Sequence, residues 1–507
     1  MKTPNARNSR TPGFLATVIA ICFISACSGG GGGSAAPAGG SNASSKPRVT
    51  IAGTLNGNNA SVTLSLNGVE ETFTSASFTF ANDLAQGDLY SVTFVSTPAN
   101  QQCIVTNGTG IANTSITDIL VTCNDPITSL VYPDAEITGS LASGDFDGDS
   151  LIDLVFTIRT LDGHPSGPNN EMLRVTYGNG AGGFSGIIDI FNNKPSDGSN
   201  RGHVLISGEF NSNSPDDFAL STQTGIKIYS GAIDRNHMAI FTGTNFAGSP
   251  LYSLDKDGDN DLDLVALNFD PVVYQNDSGD FSTAQIFDSP LIGTSINMIT
   301  GDFNGDGRED ILEIGSVTIT DIALALFMGN AEGSFDLPVL VETLSSDLFS
   351  GGNSFDVSSK ELAAGDFDGD GDLDIAITST TNFVQIMINN GAGSFSAGQR
   401  VIVGVRPVHV RVADFDLDGI ADLATINQDS KTANISPGNG DGTFVDNTAQ
   451  NTRSISIPLN PQVVLYDMNV QDIDNDGYQD IIFAEDGTNP PDTGRGSVQI
   501  IFSPGKK

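Results

Sequence analysis

Residues 366–378 read Asp-Phe-Asp-Gly-Asp-Gly-Asp-Leu-Asp-Ile-Ala-Ile-Thr, an alternation of acids and turn formers followed by a short apolar run. Carboxylates at loop positions 1, 3, 5 and 9 (Asp366, Asp368, Asp370 and Asp374), with a backbone carbonyl expected at position 7, aim several hard oxygens at one point. Six to eight oxygen ligands at about 2.3 to 2.6 Å suit calcium. Position 6 must turn sharply, and Gly371 stands there. The run from Ile375 to Ile377 is too short for a helix and reads as a buried inner strand.

The same pattern returns along the chain. Complete loops are Asp145, Asp147, Asp149 and Asp153; Asp255, Asp257, Asp259 and Asp263; Asp302, Asn304, Asp306 and Asp310; Asp414, Asp416, Asp418 and Asp422; and Asp472, Asp474, Asp476 and Asp480. Another segment is degenerate, with Glu209, Asn211, Asn213 and Asp217, and is expected to bind metal weakly or not at all. Position 6 is Ser150 in the first loop and Asn260 in the third, where Asn tolerates positive φ better than Ser does. The spacing averages about 54 residues, the size of a four-stranded propeller blade and far from a nine-residue β-roll repeat. Seven such blades need about 380 residues, which 126–507 supplies.

A second glycine-rich turn ending in Phe follows in most repeats: 178–184, 276–281, 329–335, 390–395 and 438–444. Each blade is therefore expected to hold four strands joined by two motif turns on one face. The last repeat ends near Ile500-Ile501-Phe502 without a fourth strand, and a strand near Ile127 to Val131 is expected to complete it and close the ring. An EF-hand would need a bidentate acid at position 12 between two helices, and among the complete loops only the fourth segment has one, Glu313. Solvated Asp-Gly turns without metal are the plain alternative.

On these motifs, residues 126–507 resemble the FG-GAP/VCBS repeats of bacterial surface proteins, related to the seven-bladed propeller of integrin α subunits. The resemblance implies that about six Ca2+ ions rigidify the blades and that ligands are met elsewhere. With extracellular-module affinities, six independent sites contribute roughly 2 to 8 kcal/mol at millimolar calcium.

The N-terminus has its own signals. Lys2, Arg7 and Arg10 precede an apolar run from Phe14 to Ile24, too short to span a bilayer, and then Ile24-Ser25-Ala26-Cys27. Residues 1–26 resemble a bacterial lipoprotein signal, which would make Cys27 the lipidated first residue, 27–45 a Gly/Ser-rich tether, and Ser28 a pointer to the outer membrane, facing periplasm or exterior. An ordinary signal peptide is the other reading. Residues 46–125 alternate as about six short strands, with turns at Asn67-Gly68 and Asn107-Gly108, and resemble a small immunoglobulin-like β-sandwich. Cys103 and Cys123 lie in it, and export favours a disulfide over two buried thiols. The expected fold is all-β: a small sandwich, then a seven-bladed propeller.

The net charge of −39 repels phosphate backbones, so no nucleic-acid partner is expected, and membrane attachment would be through the N-terminal lipid alone. No nucleophile elbow, zinc signature or phosphate loop appears, and the four histidines lack ligand spacing. Long insertions at 157–170, 192–203, 341–360 and 485–495 fall on the face opposite the acidic loops, three of them at the junction of blades seven, one and two. Arg159, His164, Glu171, Arg201, His203 and Arg495 are the candidate ligand residues there. The expected role is a surface adhesion or protein/glycan-binding scaffold without enzymatic activity. A calcium-stabilised polysaccharide hydrolase or lyase is the rival, and it would need acids converging on that face.

Overall fold

The computed structural model describes residues 46–503 apart from short stretches, the longest being 196–203, 244–249, 349–360, 449–454 and 487–495. No α-helix occurs among the described residues. Arg201, His203 and Arg495 lie outside them, as do residues 1–45 with Cys27.

From Ile127 onward the strands form seven four-stranded antiparallel sheets, six of them built from consecutive strands. Blade one is typical: Ala135–Gly144, Asp153–Thr160, Asn170–Gly178 and Phe184–Pro195. Blade seven has three strands of its own, Val464–Gln471, Asp480–Asp486 and Ser497–Ile501, and Ile127–Val131 adds the fourth, antiparallel to Ser497–Ile501 with Ile127 opposite Ile501. That pairing joins the two ends of the ring through backbone hydrogen bonds and covers an otherwise open edge. The first strand of each blade touches the first strand of the next, and blade seven touches blade one.

Burial follows position within the blade. First strands line a central channel of about 840 Å³ and bury only part of their length, as in Val204–Gly208 and Pro407–Ala413. Second strands are covered on both faces by neighbouring blades, and Asp374–Thr378 and Asp422–Asn427 are buried throughout. The apolar runs after the acidic loops are these buried second strands, as their pattern suggested. A continuous apolar run reports cover on two faces, and the channel wall is wet on one. Fourth strands are the most exposed, such as Thr283–Ile286.

Before the ring, ten strands run from Arg48 to Asn124 rather than about six. Two four-stranded sheets share an apolar cluster that includes Ile51, Val62, Leu64, Leu66, Phe78, Val92 and Val121. Asn67 (φ 50°) and Gly68 (φ 87°) make the expected tight hairpin turn. The Asn107-Gly108 turn does something else: it carries the chain from Gln102–Thr106 in one sheet to Thr109–Ile111 in the other. Cys123 stands opposite Cys103 in the strand register, and their side chains are outside the described set.

Part of each insertion also proves to be strand. Residues 157–160 and 170 extend the second and third strands of blade one, 192–195 the fourth, 341–344 the fourth strand of blade four, and 485–486 the second of blade seven. Length beyond the motif spacing went partly into longer strands.

Candidate functional site

In every blade the acidic loop joins strands one and two, and in blades one to six the second turn joins strands three and four on the same face of the ring. The position-9 aspartates Asp153, Asp217, Asp263, Asp310, Asp374, Asp422 and Asp480 are at most 1% exposed. Each accepts two backbone N–H bonds. One comes from loop position 2 (Phe146, Phe210, Lys256, Phe303, Phe367, Phe415, Ile473) and one from the end of the third strand (Gly178, Gly231, Asn276, Gly329, Asn389, Gly438, Ser503), at 2.6 to 3.0 Å. This carboxylate staples the first-to-second-strand loop to the third strand. It explains why Asp217 stands in the degenerate loop: Asn211 Nδ2 also donates to it at 3.0 Å, so the acid serves the backbone there.

Burial pushes these carboxyls up, to about 6 in Asp263, Asp310, Asp374 and Asp422 and about 7 in Asp153, Asp217 and Asp480, against the lowering effect of the two N–H donors. Neighbouring acids add to the rise, Asp147 and Asp149 for Asp153, Asp368 and Asp370 for Asp374. A divalent cation would favour the ionised form instead.

Position 1 shapes the loop. Asp145 accepts N–H bonds from Gly148, Asp149 and Ser150, and Asp302 from Gly305, Asp306 and Gly307. Position 6 is left-handed as expected, in Ser150 (φ 66°), Gly307, Gly371, Gly419 and Gly477. Position 4 is left-handed as well, even in Leu417 (φ 58°) and Asn475 (φ 57°), a requirement the glycines at 148, 258, 305 and 369 signalled.

The carboxylates converge. Oxygens of Asp145, Asp147 and Asp153 lie within 4.8 Å of one another, as do those of Asp255, Asp257 and Asp259, of Asp366, Asp368 and Asp374, and of Asp414, Asp416 and Asp422. An all-oxygen, acid-rich donor set of this kind fits a hard divalent cation. Asp149, Asp306, Asp370, Asp418 and Asp476 at position 5 each accept the N–H two residues on, which orients them in the loop.

In blades two to six the second turn sits on the acidic loop of the preceding blade. Asn276 and Asn389 donate their side-chain amides to the carbonyls of Phe210 and Phe303, and the Gly442 N–H donates to that of Phe367. The position-2 ring packs edge-on against the turn's Phe in the pairs Phe210–Phe281, Phe303–Phe395 and Phe367–Phe444. The acidic loops are therefore part of the blade-to-blade fastening.

On the opposite face, Arg159 pairs with Glu136 on the neighbouring strand, and Glu171 faces Arg159 across the next pairing. His164 is buried, with Nε2 2.9 Å from Asp189 Oδ2. Arg174, with no exposed surface, donates to both oxygens of Asp189 and both of Asp134. The guanidinium fills the space between Asp134, His164 and Asp189, so this triad is an ion cluster and not a metal site. Arg174 holds the Asp134 carboxyl below its ordinary value, whereas a general acid needs the reverse.

The channel wall has a second network, which the sequence did not signal. Glu361 at the start of blade five accepts from Arg411 Nη1 at 2.5 Å and lies 3.0 Å from His409 Nδ1, both on blade six. Arg411 reaches toward Asp467 of blade seven (3.7 Å), whose other oxygen accepts from Ser140 of blade one at 2.6 Å. Burial alone would raise Glu361, but Arg411 and His409 hold it down at about 2; burial alone would lower His409, but Glu361 holds it up.

Ionised Glu361 adds stability above its ordinary value of 4.5, and this is lost as pH falls toward 2. Protonated His409 adds stability below 6.5, and this is lost as pH rises through its raised value. Glu361→Gln is expected to cost about 3 kcal/mol near neutrality and to flatten both limbs of a melting-temperature profile between pH 2 and 9. An unchanged profile would remove the network from the account of ring closure.

A scan against protein families finds the FG-GAP-like repeat at residues 255–313 and 366–425, each running from one acidic loop through the next. The chain carries FG-GAP-like repeats at these two places, within a seven-bladed β-propeller. No curated protein matches it. Among solved structures it is similar to an Agrocybe aegerita lectin described as recognising non-reducing terminal N-acetylglucosamine (16% identity, 64% of this chain and 81% of that one, TM-score 0.46). It is also similar to BBS1N in complex with ARL6DN (7%, 74% and 97%, TM-score 0.44) and to a protein from Lactobacillus plantarum (13%, 71% and 97%, TM-score 0.41).

Proposed function

We propose that this chain is a calcium-rigidified propeller that presents a protein- or glycan-binding surface at a bacterial cell envelope. The observation that carries the reading is the repeated convergence of acidic side chains on one face of the ring, on loops that also fasten blade to blade. Calcium would be held by the side chains at positions 1, 3, 5 and 9 of the complete loops of blades three to seven, and would supply charge neutralisation and rigidity rather than chemistry. That leaves the opposite face and the ring perimeter for a partner. Lipid attachment at Cys27 would tether the propeller to the outer membrane through the 27–45 linker, and a Cys103–Cys123 disulfide would cross-link strands that already stand opposite one another.

The test is capture of envelope proteins and a glycan array with the calcium-loaded chain, against the same chain in chelator and against Arg159→Ala. Calcium-dependent retention of a defined protein or glycan supports the scaffold. Turnover of a polysaccharide without stable retention would replace it with the hydrolase or lyase reading.

A further inference from the structure

Blade two departs from the others at its second turn. In blades one, three, four, five and six the turn ends Gly-x-Phe, with a left-handed glycine two residues before the ring: Gly182, Gly279, Gly333, Gly393 and Gly442. A Cβ added at Gly333 or Gly442 would lie 3.0 or 3.5 Å from the Cβ of Asp257 or Asp368, the position-3 acid of the preceding loop. The corresponding residues in blade two are Arg235-Asn236-His237. Arg235 keeps the left-handed backbone (φ 60°) without being glycine, a conformation that costs a non-glycine residue about 1 kcal/mol.

Its side chain goes to the place the glycines leave open. Arg235 Nε and Nη2 donate to Asp147 Oδ2 at 2.8 and 2.6 Å, and Asp147 Oδ1 accepts the N–H of Asp149 at 3.2 Å. Asp147 is 6% exposed. The guanidinium lies 3.9 Å from the centre of the Tyr177 ring, which is fixed from behind by a 2.8 Å bond between its hydroxyl and His237 Nε2. His237, in place of the usual Phe, also packs on Phe218. The Ala232 N–H caps the Phe146 carbonyl, as the second turns of other blades cap their neighbours.

We infer that Arg235 is a tethered cation that takes the place of calcium at the first acidic loop. It deepens the calcium reading and rests on it. One positive charge is delivered to the position-3 acid by the neighbouring blade, so the blade-one to blade-two junction is fastened without metal. The two junctions around blade two are then both metal-independent, because the second loop lacks the acids. Calcium dependence is confined to blades three to seven.

The test counts bound calcium by equilibrium dialysis of the full chain at millimolar calcium, with terbium luminescence sensitised through Tyr177 as a local probe. Wild type is expected to bind five ions. Arg235→Gly, which restores the left-handed glycine and relieves the backbone, is expected to bind six, to gain a Tyr177-sensitised terbium signal, and to melt below wild type in chelator but level with it in calcium. Six ions in wild type, or five in the variant with no new terbium signal, would overturn the assignment of Arg235. Zero ions in both proteins would instead overturn the calcium reading beneath it.

Discussion

Alanine in place of Asp217 is expected to lower the stability of the ring by about 2 to 6 kcal/mol, equally with and without calcium. Both backbone N–H groups that this buried carboxylate satisfies, on Phe210 and Gly231, lose their acceptor, and each buried donor left unmade costs about 1 to 3 kcal/mol. Against a typical domain stability of about 5 to 15 kcal/mol, that is a large fraction. Asp374→Ala removes the same kind of staple between Phe367 and Asn389, with one difference: Asp374 also borders a complete loop, so its variant should lose calcium response at that loop as well. Urea melts of both variants in calcium and in chelator make the comparison. A loss of stability in Asp217→Ala that calcium changes would show that the second loop holds metal and that the staple is not its reason for being there.

Removal of calcium from the wild-type chain is expected to lower its melting temperature by several degrees. Five sites with millimolar-range affinities contribute about 2 to 7 kcal/mol at ~1 mM calcium. The loss should exceed a simple sum of surface charges, because the loops that would hold the metal also carry the contacts between blades, as where the blade-five turn caps the Phe303 carbonyl. Acids left facing one another without a cation repel, which is where part of the net charge of −39 resides. Coincident thermal melts with and without excess EDTA would end the calcium reading.

Much of this was legible in the sequence because it is repeated. Seven loops in register announced seven sheets, and the missing fourth strand of the last repeat announced the pairing of Ile127–Val131 with Ser497–Ile501. The charge networks were not legible. Glu361, His409, Arg411 and Asp467 lie at or on the first strands of three consecutive blades, about 50 residues apart in the chain, and only the stacking of the blades makes them neighbours. His164 looked like a surface ligand residue because it lies in a long insertion, yet the chain folds it under against Asp189. Arg235 had a signal, a break in the Gly-x-Phe turn of one blade, but its meaning depends on which loop that turn covers.

Residue type and spacing by themselves determined the strand count per blade, the turn positions and the chemistry of the acidic loops. These are local matters, settled by which backbone angles Gly, Asn and Asp accept and by which atoms a nine-residue loop can bring together. Tertiary structure alone decided which strand faces the channel, which acids are answered by an arginine, and that the position-9 aspartate is a staple in every blade. Those outcomes depend on groups from different blades or from the far end of the third strand, and the sequence carries no record of that proximity until the sheets are stacked.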